Sequence, residues 1–205
     1  MELSLLHLHF DEGWGSYGKA PLRKTVQMKK ILVAISASLA LITSAHSEGT
    51  SWIAPDFPTL SLSDVEQAQQ WALCAATLET YAEVIRDVLK KPSSADMVDS
   101  YVNGAEIAIL GVFLVKMRNR ITGKTDTEVK DIFNKTIDYA QMASKEFPAL
   151  KKTEIMSDLE LRENKATWYA DLGESAKTCS QKRVLEIQQT YIDIVRKISS
   201  GVGGK

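Results

Sequence analysis

The sequence predicts an all-α protein, an antiparallel up-down bundle of four to five helices closed by one disulfide. Apolar residues recur at intervals of three and four along most of the chain after residue 63, which is the spacing of one helix face. No alternating run rich in Val, Ile and Thr is bounded by turn residues, so no β-sheet is expected. The connections between the periodic stretches are short, and short connections join antiparallel neighbours.

The composition is that of an ordinary globular protein of one domain. The chain has 205 residues, of which 44% are hydrophobic, and its formal net charge is -1. Domains that bind nucleic acids are usually clearly basic, so no nucleic-acid partner is expected. Two cysteines are too few for a zinc finger or an iron–sulfur site, so no metal and no other cofactor is expected.

Residues 28–47 have the three parts of a secretory signal peptide. Met28 is followed by two lysines, then by an apolar stretch at 31–42, then by small residues up to Ser47. The apolar stretch is too short for a membrane span, which takes about 20 residues. The alternative is a buried first helix. We expect cleavage, a periplasmic or secreted protein, and residues 1–27 that are not translated or not part of the mature protein.

Export would remove every histidine from the chain. The three histidines are His7, His9 and His46, and all of them precede residue 48. A mature protein without histidine has no imidazole general base, no Ser-His-Asp triad and no imidazole metal ligand. The sequence therefore favours a protein that is not an enzyme, and no catalytic residue is predicted.

The two cysteines, Cys74 and Cys179, both follow the signal segment. An isolated pair in an oxidising compartment predicts one intramolecular disulfide. Two buried free thiols are the alternative. A redox-active pair is disfavoured, because no Cys-x-x-Cys spacing lowers the pKa of either thiol.

The predicted domain covers residues 63–199, after an extended leader at 48–62 and before a disordered tail at 200–205. Ser63 and Glu66 form a capping box that begins the first helix, which Pro92 is expected to stop. The second helix is expected at 94–122, with Gly123 as its left-handed cap.

Two further helices complete the predicted bundle. Thr125 and Glu128 form a second capping box, and the third helix is expected to end before Pro148. The periodic stretch at 153–199 is too long for one straight helix in a compact domain, so a break is expected at 173–181. The sequence leaves open whether 180–199 extends the fourth helix or folds back as a fifth.

The second helix carries the candidate partner-binding residues, which lie on one line along it. The N-terminal half of this line is polar and the C-terminal half is apolar, a change that a simple amphipathic helix does not show. If the line is exposed, it would be an acidic surface for a basic partner that continues into an apolar patch. If another segment packs on it, its apolar half would belong to the core, and residues 184–198 are the candidate segment. The residues of the line are Asp96, Asp99, Asn103, Glu106, Leu110, Phe113 and Met117.

These observations predict an exported helical protein, bacterial and periplasmic, that acts by binding another protein of the cell envelope. An envelope-assembly, secretion-accessory or inhibitor/immunity protein would fit, with no membrane span after signal cleavage. One alternative is a small-molecule carrier or sensor with a pocket between helices, where Trp52 and Trp168 could line a slot. The second is a carboxylate-only hydrolase, although pairs such as Glu79 and Glu83 are typical of a solvated helix face.

Overall fold

The computed structural model describes residues 52–202, and those up to Arg196 belong to one compact unit. This part of the chain contains no strand, and its α-helices are α1 (Asp64–Glu83), α2 (Pro92–Ile121), α3 (Asp126–Leu161), α4 (Lys165–Cys179) and α5 (Lys182–Val202). The all-α prediction is therefore confirmed. The predicted signal peptide, the residues before it, the first part of the predicted leader at 48–51 and the end of the chain at 203–205 lie outside the described residues.

Helix α1 begins as the sequence predicts and ends differently. The Ser63 amide donates to the Glu66 carboxylate at 3.0 Å, and the Glu66 amide donates back to the Ser63 hydroxyl at 3.3 Å. At its other end α1 continues into a π-helical turn, Val84–Val88. Pro92 does not stop α1; it is the first residue of α2, where its missing N–H removes no helical hydrogen bond.

Helices α1 and α2 run antiparallel. Ion pairs join Arg120 to Asp64 at one end of the pair and Arg86 to Asp99 at the other. Gly123 follows α2 with φ +78°, the left-handed conformation predicted for it. The predicted capping box of α3 is also present, since the Thr125 side chain accepts from the Glu128 amide.

Helix α3 does not end before Pro148, which corrects the predicted boundary. Pro148 lies inside this 36-residue helix, and its side chain is buried. An interior proline removes one helical hydrogen bond and crowds the preceding turn, at a cost of about 3 kcal/mol. Burial of Pro148 and packing of the turns on either side of it, through Phe147 and Ile155, offset that cost. The real connection to α4 is the short segment at 162–164, which the sequence analysis placed inside a helix.

The expected break in the last helical stretch lies at Ser180 and Gln181, between α4 and α5. Beyond it α5 folds back onto α2. Gly111 allows this approach, because a Cβ at that position would lie 2.6 Å from the Tyr191 Cβ. The open question is thus settled in favour of a fifth helix, and α5 continues to Val202, into the segment predicted as a tail.

The predicted disulfide links Cys74 of α1 to Cys179 at the end of α4. The two Cα atoms are 5.8 Å apart, and both side chains are buried in the core. The bond closes a loop of 105 residues. A loop of that length gives about 4.7 kcal/mol of stabilisation in the chain-entropy model.

The leader is part of the fold. Phe57 is buried with its ring 5.0 Å from the ring of Trp71 on α1. Arg183 of α5 donates to the Phe57 carbonyl at 2.7 Å, and the Gln67 side chain donates to the carbonyls of Leu60 and Leu62. The segment before α1, which contains turns at 54–57 and 59–62, is therefore held by the first helix and by the last.

Helix α2 is the most apolar helix of the described chain. On length and composition alone it could cross a membrane, and it is the one helix within residues 52–202 that passes this test. Within its most apolar stretch, 56% of the residues are buried by the rest of the chain. A core helix of a soluble protein passes the same test.

Candidate functional site

A charged junction lies where α1 and α3 meet. Lys152 of α3 places its ammonium 2.7 Å from a carboxylate oxygen of Glu79 and 2.8 Å from one of Glu83. Partial burial by itself lowers the pKa of Lys152, but the hydrogen bonds and the charges of the two glutamates outweigh it and raise the pKa above its ordinary value. One lysine thus bridges two carboxylates that stand one helical turn apart.

Glu106 of α2 lies beside this junction without a partner of its own. Its side chain is half-buried, and no hydrogen bond or ion pair to it is found within residues 52–202. Burial, and after it the negative charge of Glu79, raise the pKa of Glu106 to about 7. At neutral pH this carboxyl group is therefore divided between its neutral and ionised forms, whereas an ordinary glutamate is ionised.

The rest of the polar half of the line lies toward the outside of the molecule. Asp96 and Asn103 are exposed, and Asp99 is half-buried and paired with Arg86. We call the four polar residues of the line, together with Glu79 and Glu83, the acidic face. Its carboxylates outnumber Lys152 and Arg86, the two cations paired with them, so it would attract a positively charged group.

The apolar half of the line lies in the interior. Leu110, Phe113 and Met117 are all buried, with Phe113 only 2% exposed. The ring of Phe113 meets that of Tyr139 on α3 at 5.1 Å. Their role in partner binding stays a prediction, and the burial agrees with the alternative that they belong to the core.

The path of α3 explains why the line changes character. Early in α3, Tyr139 lies against α2; later, Lys152 and Ile155 lie against α1. Helix α3 therefore covers the apolar half of the line and then moves away from the polar half. The expected cover, residues 184–198, packs elsewhere, because Gln188 and Tyr191 meet α2 at Gly104 and Gly111 on another side of the helix.

The aromatic residues of the leader and α4 pack on one another. Trp168 is buried and donates its indole N–H to the Ile155 carbonyl at 3.2 Å, and the Trp52 ring lies 5.7 Å from the Trp168 ring. Arg162, paired with Asp158 and Asp171, lies 5.6 Å from the centre of the Trp52 ring. Trp52 thus anchors the leader to the bundle, and in this arrangement it does not line a slot for a small molecule.

The sequence analysis did not identify the junction. It placed Glu79 and Glu83 on a solvated face, and it did not single out Lys152. A weak signal was present for Glu79, which has no lysine or arginine three or four residues away in the sequence, whereas Glu83 has Arg86 three residues later. A carboxylate without a cation at helical spacing can find one on a neighbouring helix.

Comparisons with known proteins give no family and no relative for this chain. No protein-family description matches it, and no similar protein is found among the curated proteins or the solved structures. In residues 52–202 no group of three or more His, Cys, Asp or Glu side chains is arranged to hold a metal ion. The functional argument therefore depends on the chain's own residues.

Proposed function

We propose that this chain is an exported helical protein that acts by binding a basic partner protein of the cell envelope through its acidic face. The observation that supports this proposal is the division of the line on α2, in which the apolar half is buried and the residues of the polar half are exposed or half-buried. A face with excess negative charge favours encounter with a positively charged partner and rejects acidic ones. Export is supported by the signal-like segment at 28–47 and agrees with the disulfide.

A photo-crosslinking amino acid at Asn103 tests the binding proposal in the native host. Asn103 is exposed at the centre of the acidic face, so we expect a discrete crosslinked species. The control places the same amino acid at Gln141, which is exposed on α3 away from the line. The charge-reversal variant Asp96→Lys should abolish the Asn103 crosslink, because it repels a basic partner.

The crosslinked partner must also carry the expected charge. Raising the salt concentration should weaken the Asn103 crosslink, because the attraction acts between charges close to solvent. Equal crosslinking from Asn103 and Gln141, or a crosslink that survives Asp96→Lys, would contradict binding through this face. Fractionation of the host cell tests export separately, since a chain confined to the cytoplasm would contradict that part alone.

A carboxylate-only hydrolase remains a second candidate, because one observation favours it. Near neutral pH Glu106 is divided between its protonated and ionised forms, and Glu79 on the neighbouring helix is ion-paired with Lys152. A protonated and an ionised carboxyl group are the two groups that glycoside hydrolysis requires. Hydrolysis of a panel of chromogenic glycosides, lost in both Glu106→Gln and Glu79→Gln, would favour the hydrolase over the binding protein.

A small-molecule carrier is the remaining candidate. The packing of Trp52 on Trp168 gives it no support. We therefore rank it after the other two.

A further inference from the structure

The ion pairs Arg120–Asp64 and Arg86–Asp99 fix the register of α1 against α2, which places Glu106 at the level of Glu79. At this level neither α1 nor α3 offers it a free cation. On α1 the charged groups are Glu79 and Glu83, which carry its own sign. On α3 the charged group is Lys152, whose ammonium is already bonded to both of those glutamates. On α5, Gln188 packs against Gly104, on another side of α2, and is uncharged.

The surroundings of Glu106 therefore favour its neutral form. A neutral carboxyl group can be half-buried between helices at modest cost, whereas an ionised one loses hydration that nothing here replaces. Ionisation also places a third negative charge beside a pair of carboxylates that share one lysine. Either Glu106 then moves toward water, or it competes for Lys152.

We propose that Glu106 is a proton-operated contact between α1 and α2, which lets the two helices pack closely when it is protonated and loosens them when it is ionised. The proposal does not depend on the proposed function. Its expected site of action is the end of α1, where the chain changes from an α-helix into the π-helical turn Val84–Val88 next to Glu83. Such π-helical turns are rare and occur often at functional positions.

Loosening of α1 from α2 on ionisation of Glu106 would also affect the acidic face. Arg86, within the π-helical turn, holds Asp99 on α2. Loosening of α1 from α2 at Glu106 therefore strains the Arg86–Asp99 ion pair, which joins the same part of the chain to α2. Protonation would tighten both contacts and remove one negative charge from the face.

The first test measures the Glu106 carboxyl group directly, by carbon NMR of the full chain during a pH titration. We expect a midpoint near 7, against about 4.5 for an ordinary glutamate. Glu79→Gln should lower the midpoint, because a like charge is removed. A midpoint below about 5 in the unmodified chain would overturn the proposal.

The second test measures packing by amide hydrogen exchange at pH 6 and pH 8, corrected for the intrinsic change in exchange rate. In the unmodified chain, amides of the turn Val84–Val88 should lose protection at least severalfold at pH 8. Glu106→Gln, which is always neutral, should keep them protected at both pH values. The matched control, Glu146→Gln, makes the same change at an exposed position of α3 outside the acidic face and should behave like the unmodified chain. Equal pH dependence in Glu106→Gln and the unmodified chain would overturn the proposal.

Discussion

Single residues on one helical line of α2 have opposite environments. Phe113 is packed against Tyr139, whereas Asn103 is exposed, although sequence spacing places both on the same side of the helix. Periodicity predicts which residues share a side, and it does so correctly here. It does not predict how far along the helix a neighbour continues to cover that side.

The variant Phe113→Asp tests the buried half of the line. We expect it to unfold the protein at ordinary temperature, because an unpaired carboxylate would enter the core and the packing with Tyr139 would be lost. Circular dichroism during heating measures this. Asn103→Asp, with the same new side chain at an exposed position, should melt within a few degrees of the unmodified chain. A stable, monomeric Phe113→Asp protein would contradict the observed packing.

The raised pKa of Glu106 makes stability depend on pH. The unfolded chain releases this proton near pH 4.5 and the folded chain releases it near 7. Between these values the folded state holds more protons, so this group's contribution to stability is fully present below pH 4.5, falls as the pH rises and is lost above 7.

The size of the contribution of Glu106 to the free energy of unfolding follows from the pKa difference. The shift corresponds to at most about 3 kcal/mol, and we expect about 1–2 because Glu106 is partly open to solvent. Urea unfolding should give a lower free energy of unfolding at pH 7.5 than at pH 5 in the unmodified chain, and a smaller difference in Glu106→Gln. A fall of the same size in both proteins would count against the assigned pKa.

At the scale of helices, capping signals were reliable and the proline signal was not. Both capping boxes and Gly123 were identified from sequence, because the hydrogen bonds of a cap are made between residues close together in the chain. Pro148 was misinterpreted, because its tolerance within α3 depends on burial against distant residues. The sequence rule for proline describes the local cost only.

A pair of glycine variants tests the approach of α5 to α2. Gly111→Ala places a Cβ 2.6 Å from the Tyr191 Cβ, which is held close to the backbone, and should destabilise the fold by about 1–3 kcal/mol. Gly173→Ala is the control, because Gly173 lies in α4 with open space around it; it should stabilise by about 0.5–1 kcal/mol. Chemical denaturation measures both. If Gly111→Ala were as stable as Gly173→Ala, the described contact between the helices would be wrong.

At the scale of the molecule, the fold class and the disulfide were predictable and the arrangement of the junction was not. Cys74 and Cys179 could be paired because the chain offers no other pairing. Lys152 could not be assigned to Glu79, because that contact depends on where α3 crosses from α2 to α1. Crossings of this kind are set by packing and leave no local pattern in the sequence.

The disulfide should contribute a large part of the stability. Replacement of both cysteines by alanine should destabilise the protein by about 2–5 kcal/mol, because the unfolded chain regains the freedom that the 105-residue loop removes. Denaturation of the variant, compared with the unmodified protein under oxidising and reducing conditions, measures this. Detection of two free thiols in unreduced protein would contradict the bond itself.

The leader has a consequence for the order of events during synthesis. Its carbonyls at Pro55 and Phe57 are bound by Arg183, which lies more than a hundred residues later in the chain. A ribosome makes the leader long before Arg183, so these two hydrogen bonds, unlike the leader's contacts with α1, cannot form until α5 has been made. Truncation before residue 182 should therefore loosen the leader and leave it more open to proteases than it is in the full chain.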